Sequence, residues 1–185
     1  MGAAEKMDEK YTYQDYLNWS IDERWELIEG LPYNMSPAPS RKHQGILKKL
    51  SFSFESFLQN KPCQMYFAPL DVRFSEDTVV QPDIIVVCDE SQLNDRGCLG
   101  APDLVIEIIS PATAIRDTKI KLDLYEKYGV REYWIVYPEE KIVMVFKLNE
   151  KKEYGKPETY SKEDKIQSFI LPEMEIDLKG VFKLI

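Results

Sequence analysis

The chain has few of the residues that build disulfide frameworks or soft metal sites, with three cysteines and one histidine among 185 residues. Cys63, Cys88 and Cys98 are odd in number and lack zinc-ligand spacing, which favours reduced thiols in the cytoplasm over a disulfide-stapled secreted fold. No run of about 18 apolar residues occurs, and the polar N-terminus lacks a signal-peptide core. These absences predict a soluble, cytoplasmic protein without a membrane span.

An overall excess of basic residues is also missing, because the formal net charge is −8. This charge argues against a generally basic nucleic-acid coat, since phosphate binding requires clustered lysine and arginine. Two segments are nevertheless locally basic. The first carries Arg41, Lys42, Lys48, Lys49 and Lys61 against Glu55 alone, and the second carries Arg116, Lys119 and Lys121. They are consistent either with a positive groove on an acidic body or with solvated helix faces.

The composition is that of a folded domain, with 44% hydrophobic and 30% charged residues. A chain of this length and balance predicts one domain with a sizeable core. We assign that single domain to residues 11–185. Residues 1–10 are expected to be disordered or vector-derived.

The order of apolar patterns predicts an α/β fold. A short helix capped by Thr12 and a hairpin turning at Gly30 come first, followed by a helix with Ser40 as its cap. Two short apolar runs, at 81–89 and 101–110, read as strands buried on both faces of a sheet. A helix over 113–129, with Thr113 as its cap and Gly129 as its stop, precedes a hairpin over 132–148 and one or two further strands. The pattern predicts a central mixed β-sheet flanked by helices.

Two acids interrupt the buried strands. Side chains alternate along a strand, so Glu107 shares its face with Val105 and Ile109, and Asp83 begins the other apolar run. An ionised carboxylate there would cost several kcal/mol without a partner. Each acid is therefore neutral or paired with a structural cation, or the two acids share a metal ion. Hard oxygen ligands favour Mg²⁺ or Mn²⁺.

Several stretches together resemble a known family. These are "QPDIIVV", "APDLVIEIISPAT", "RDTKIKLDLYEKYGVREYWIVYP", "WELIEG" and "MSPAPSRKHQ". They are similar to the Uma family of proposed restriction endonucleases, in the PD-(D/E)XK nuclease superfamily, over roughly residues 11–150. The resemblance implies a restriction-endonuclease-like core in which Asp83 and Glu107 bind Mg²⁺ for hydrolysis of DNA phosphodiester bonds. It also implies a homodimer, because cutting both strands needs two sites.

The chain departs from the superfamily motif at Ile109, where a lysine is expected. The resemblance indicates that the following helix supplies this cation, and Lys119 and Lys121 are the two candidates. They differ by about 200° around a helix, so only one can face the site. Lys121 has the family's spacing, with Asp117 four residues before it as a supporting residue. The alternative is a surface ion pair between Asp117 and Lys121.

Two further residues are candidates for supporting roles. Glu26 matches an acid of the family and could reach the metal from the hairpin. His43 could contact phosphate or carry a proton, or it could serve only at the helix terminus or surface. The missing lysine and the acidic composition leave one alternative function, a non-catalytic interaction protein on an inactivated nuclease scaffold.

Overall fold

Two six-stranded mixed sheets and four α-helices form the chain, in a computed structural model that describes residues 9–19, 24–35, 38–110, 114 and 116–183. The helices are α1 (Tyr13–Tyr16), α2 (Arg41–Leu58), α3 (Lys121–Tyr128) and α4 (Leu178–Phe182). A 3-10 turn spans Glu90–Gln92, and a π-helical turn, Arg116–Ile120, leads into α3. Among the described residues, no helix combines the length and apolar character needed to cross a membrane.

The strands are short and follow one another closely. They are β1 (Trp25–Ile28), β2 (Leu31–Asn34), β3 (Gln64–Phe67), β4 (Asp71–Ser75), β5 (Thr78–Val80), β6 (Ile84–Val87), β7 (Leu93–Asn94), β8 (Gly97–Leu99), β9 (Leu104–Ile108), β10 (Glu132–Tyr137), β11 (Ile142–Lys147), β12 (Glu158–Ser161), β13 (Lys165–Gln167) and β14 (Glu175–Asp177). The first sheet has the order β2-β1-β5-β4-β8-β7, and the second has the order β12-β11-β10-β9-β6-β3. Strands β13 and β14 form a separate pair.

The second sheet is covered on both faces. One face packs Ile84 and Ile106 against Leu50 of α2 and against α4. The other face packs Ile85 and Val105 against α3 and strands of the first sheet. Such burial explains why β6 is apolar throughout and β9 is apolar except at Glu107, as predicted.

Local signals in the sequence placed several element ends correctly. Thr12 caps α1 through a capping box with Asp15, and the Ser40 hydroxyl accepts a hydrogen bond from the His43 backbone N–H at 3.2 Å. Gly129 ends α3 in the left-handed region at φ 85°, where glycine carries no steric penalty. The predicted cap at Thr113 lies outside the described residues, as do residues 1–8 of the predicted N-terminal tail.

The α/β class, the N-terminal helix and the hairpin are confirmed, and the arrangement differs in two respects. The strands divide between two large sheets rather than one central sheet, because short strands such as β5 and β8 pair with the N-terminal hairpin and β4. The C-terminal segment forms three strands and α4, one strand more than the upper expectation.

The expectation of three reduced cysteines differs from the structure. Cys63 and Cys88 form a disulfide, while Cys98 is a buried free thiol. The antiparallel register of β3 and β6 pairs Gln64 with Val87, so the two cysteines lie directly opposite each other. Sequence spacing could not show this, because the pairing depends on the register of two strands.

Candidate active site

The two predicted metal ligands lie at the same end of neighbouring strands. Strands β6 and β9 are antiparallel and pair Ile84 with Ile106, so continuing the register by one residue sets Asp83 opposite Glu107. The Oδ2 of Asp83 accepts a hydrogen bond from the Ile108 backbone N–H at 2.7 Å. The backbone N–H of Ile108 thus holds the Asp83 carboxylate beside the strand position of Glu107.

Glu107 lies in a buried polar cluster on the face that packs against α3. Its Oε1 accepts hydrogen bonds from the Lys121 ammonium and the Tyr125 hydroxyl, both at 2.7 Å. Only 4% of Glu107 and 2% of Lys121 is exposed, and Tyr125 is fully buried. Since a buried carboxylate is stable only when it is paired and hydrogen-bonded, these two donors explain how β9 tolerates an acid.

Glu26 completes this cluster from the first sheet. Its Oε1 lies 2.8 Å from Lys121 Nζ and accepts a hydrogen bond from the Gln81 backbone N–H at 3.0 Å. Glu26 is fully buried, whereas a polar side chain on a half-exposed hairpin strand more often faces solvent. Lys121 therefore bridges two carboxylates that arrive from different sheets.

His43 contacts the other predicted ligand. Its Nε2 lies 3.1 Å from Asp83 Oδ1, with the imidazole 12% and the carboxylate 16% exposed. The Nδ1 atom is buried and has no hydrogen-bond partner among the described residues. This geometry fits a proton on Nε2 that is donated to Asp83. His43 is thus neither a surface residue nor the cap of α2, a role that Ser40 fills.

The structure distinguishes the two candidate lysines. Lys119 is exposed in the π-helical turn, whereas Lys121 opens α3 with its side chain buried against Glu107. The alternative of a surface ion pair with Asp117 does not fit a lysine that is 2% exposed. The side chain of Asp117 lies outside the described part of the chain, so its supporting role stays a prediction.

Asp103, the second acid that follows a proline, serves a different purpose. It precedes β9, and its carboxylate accepts hydrogen bonds from the Cys88 backbone N–H at 2.8 Å and from Arg131 at 3.1 Å. It lies four positions before Glu107 along an extended strand, which is about 13 Å. Asp103 therefore stabilises the N-terminal end of β9, away from Glu107, and takes no part in the candidate site.

Two residues of the cluster were missed as site residues. They are Tyr125 of α3 and Gln81, which precedes Asp83 by two residues. The spacing of four residues between Lys121 and Tyr125 is the one signal that could have indicated a shared target, because such residues lie on one helix face. Burial and the Glu107 carboxylate raise the pKa of Tyr125 well above its ordinary value. The phenol therefore remains a hydrogen-bond donor to Glu107 throughout the neutral range.

The acidic side chains of the cluster offer oxygen donors, the ligand type that hard divalent cations take. Three carboxylates, Glu26, Asp83 and Glu107, and one ammonium, Lys121, carry two formal negative charges in excess, and all the acidic donors are oxygens. Among the described residues, no group of three or more His, Cys, Asp or Glu side chains is arranged to hold a metal ion. Mg²⁺ commonly uses only one or two carboxylates and completes its shell with water and substrate phosphate, so a two-acid site suits it.

The fold is a mixed α/β architecture of two large sheets flanked by helices, and comparison with known proteins gives the family. The family model described as "Uma2: Putative restriction endonuclease" matches residues 13–179. The chain belongs to this family. The resemblance seen in the sequence is thereby confirmed.

A solved structure and a curated protein are similar to the chain. The crystal structure of "a putative nuclease belonging to DUF820 from Anabaena variabilis ATCC 29413" superposes with a TM-score of 0.78 at 22% identity, covering 94% of this chain and 98% of that one. "Uncharacterized protein slr1290" of Synechocystis sp. (strain ATCC 27184 / PCC 6803 / Kazusa) is 29% identical over 119 residues. That match covers 63% of this chain and 62% of the relative, which is less than two thirds of either.

Proposed function

We propose that the protein is a metal-dependent endonuclease that hydrolyses phosphodiester bonds in DNA. The observation that carries the proposal is the buried meeting of Glu26, Glu107 and Lys121 beside the strand end that holds Asp83. A fold keeps several buried charges together only when their geometry is well supported, and such groups concentrate at functional sites. Family membership supports the same reaction class.

Asp83 and Glu107 would hold the ion, Mg²⁺ or Mn²⁺, through their carboxylate oxygens. When bound, such an ion polarises the phosphoryl oxygen and lowers the pKa of a coordinated water. The Ile108 N–H and His43 each donate to one oxygen of Asp83, which holds the carboxylate in one orientation. Tyr125 does the same for Glu107.

Lys121 supplies the cation that the motif lacks at Ile109. Its ammonium stands beside Glu107 at 2.7 Å, and its charge stabilises the negative charge that develops on the phosphate during hydrolysis. Glu26 acts through Lys121 by fixing the ammonium position from the opposite side. In this role Glu26 is a positioning residue.

One alternative function has support of its own. Ile109 occupies the motif position of the lysine, and the described residues contain no ready three-ligand metal group. A non-catalytic interaction protein on an inactivated nuclease scaffold would have both properties.

Calorimetric titration with Mn²⁺ followed by plasmid nicking separates the two functions. We expect the wild type to bind Mn²⁺ and nick the plasmid, and Asp83→Asn and Glu107→Gln to lose both properties while still folding. Asp95→Asn, which alters an exposed acid, is the matched control and should behave as wild type. Unchanged nicking by Asp83→Asn would eliminate the proposed mechanism. A wild type that neither binds Mn²⁺ nor nicks the plasmid would favour the inactivated scaffold.

Two accompanying proposals concern the whole protein. A homodimer would present two sites for cutting both strands, and the protein would act in the cytoplasm. Sedimentation of the purified protein tests the first, with a monomer at all concentrations as the contrary result. Fractionation of the source cells tests the second.

A further inference from the structure

Gln81 uses both ends of its side-chain amide. Its Nε2 donates to Asp71 Oδ1 at 2.9 Å and to the Tyr16 hydroxyl at 3.2 Å, and its Oε1 accepts from Arg24 Nη2 at 3.0 Å. The amide fits in one direction only, because an ionised carboxylate only accepts hydrogen bonds and a guanidinium only donates them. The side chain of Gln81 is therefore held in a single orientation.

The three partners of this amide come from different elements. Tyr16 lies in α1, Arg24 directly precedes β1, and Asp71 begins β4. The antiparallel register of β4 and β5 sets Asp71 opposite Gln81. The Tyr16 hydroxyl also donates to Asp71 Oδ1 at 2.9 Å. Burial and then the Asp71 carboxylate raise the pKa of Tyr16, so the phenol keeps its proton in the neutral range.

The backbone of Gln81 belongs to the candidate active site. Its N–H donates to Glu26 Oε1 at 3.0 Å, the same oxygen that lies 2.8 Å from Lys121 Nζ. In the other direction, only Pro82 separates Gln81 from Asp83. The proline ring fixes its own φ and restricts the preceding residue to extended conformations. The position of Asp83 therefore follows closely from that of Gln81.

A half-buried glutamine can serve the fold alone, as Gln92 does. Its Nε2 donates to the Ala101 carbonyl at 3.2 Å and joins two segments of the first sheet. Gln81 differs in its place in the chain, because it stands between a backbone contact to Glu26 and the predicted ligand Asp83.

We infer that Gln81 is a positioning residue of the candidate active site, whose fixed side-chain amide sets the orientation of Glu26 and Asp83 for metal binding. The inference rests on the proposed nuclease function. It adds that the metal site depends on hydrogen bonds to α1 and β4, two elements that supply no ligand to the ion.

Three variants and one control separate positioning from packing. Gln81→Met keeps the length of the side chain and removes its hydrogen bonds, and Gln81→Glu places a second carboxylate against Asp71. Gln81→Glu combined with Asp71→Asn reverses donor and acceptor, since the new amide at position 71 can donate to the new carboxylate at position 81. Gln92→Met is the matched control, because it removes one amide hydrogen bond of a half-buried glutamine.

Two measurements on the full chain test the inference. The long-range ¹H–¹⁵N signals of His43, recorded in EDTA, report on the Asp83 carboxylate that its Nε2 contacts at 3.1 Å. Calorimetric titration measures Mn²⁺ affinity. Both single Gln81 variants should shift the His43 signals and weaken Mn²⁺ binding by about 10- to 100-fold. The double variant should restore the signals and return Kd to within about 3-fold of wild type, and Gln92→Met should change neither.

Wild-type His43 signals and Mn²⁺ affinity in Gln81→Met would overturn the inference and leave Gln81 a purely structural residue. Losses that the double variant does not reverse, or equal losses in Gln92→Met, would overturn it as well. Failure of the proposed function is distinguishable, because the wild type would then neither bind Mn²⁺ nor nick the plasmid. In such a protein, shifted His43 signals in Gln81→Met would still show that Gln81 positions Asp83, and unshifted signals would overturn both proposals.

Discussion

The ammonium of Lys121 and the carboxylate of Glu107 form a buried ion pair with a distance of 2.7 Å, although the residues belong to a helix and a strand that are 14 positions apart. Glu26 adds a second carboxylate at 2.8 Å from the same ammonium. Buried charges in this geometry depend on one another, since each is expensive to leave without its partner. The predictions below test that dependence.

Replacing Lys121 by Met should destabilise the protein by about 3 to 5 kcal/mol, because two buried carboxylates lose their shared cation. Urea denaturation measures the free energy of unfolding. Lys119→Met, an exposed neighbour, should change it by less than about 0.5 kcal/mol. Adding Glu26→Gln to Lys121→Met should recover part of the loss, and no recovery would show that the three groups are not coupled.

Replacing Tyr125 by Phe should change how stability depends on pH at the alkaline end. Burial and then Glu107 raise the pKa of Tyr125, so its contribution is fully present below the unfolded tyrosine value of about 10 and is lost as the pH rises toward the folded value. The stability difference between wild type and Tyr125→Phe should therefore be constant from neutral pH to about 9 and shrink by up to about 1.4 kcal/mol per pH unit above 10. Parallel curves above pH 10 would contradict the buried hydrogen bond.

Replacing His43 by Leu should weaken Mn²⁺ binding by about 10- to 100-fold, because Asp83 loses one of the two donors that orient it. His43→Gln retains an N–H donor and should bind more tightly than the leucine variant. Calorimetry measures both. Wild-type affinity in the leucine variant would remove the positioning role of His43.

The histidine also provides a spectroscopic readout that requires no activity, because it is the only histidine in the chain. Its two ring nitrogens give one set of long-range ¹H–¹⁵N correlations, and we expect the proton on Nε2. Substoichiometric Mn²⁺ should broaden these signals in the wild type and not in Asp83→Asn. Equal broadening in both proteins would place the ion elsewhere.

Replacing Asp103 by Asn should affect the fold and leave the metal chemistry intact. The carboxylate bonds to Cys88 N–H and Arg131, so the loss of its charge should cost about 1 to 2 kcal/mol of unfolding free energy. Mn²⁺ affinity should remain that of wild type in calorimetry. A large loss of affinity would instead assign Asp103 to the metal site.

Much of the candidate site could be identified from single residues in their local context. Asp83 and Glu107 stood out because acids rarely occur within buried apolar strands. Lys121 could be identified as a candidate, but periodicity alone could not choose between it and Lys119, which lies only two residues away. Glu26 and His43 could be identified as candidates, but their contacts could not be predicted. A hairpin and a distant helix bring these two residues to the site.

The sequence by itself determined the buried strands β6 and β9, the caps at Thr12 and Ser40, and the stop at Gly129, because each follows from side-chain alternation or from a local hydrogen bond. Only the tertiary structure decided that Cys63 meets Cys88, that Lys121 bridges Glu26 and Glu107, and that Tyr125 donates to the same carboxylate. These contacts join elements far apart in the chain. Strand register and helix rotation set them, and neither is encoded in the local pattern of any one segment.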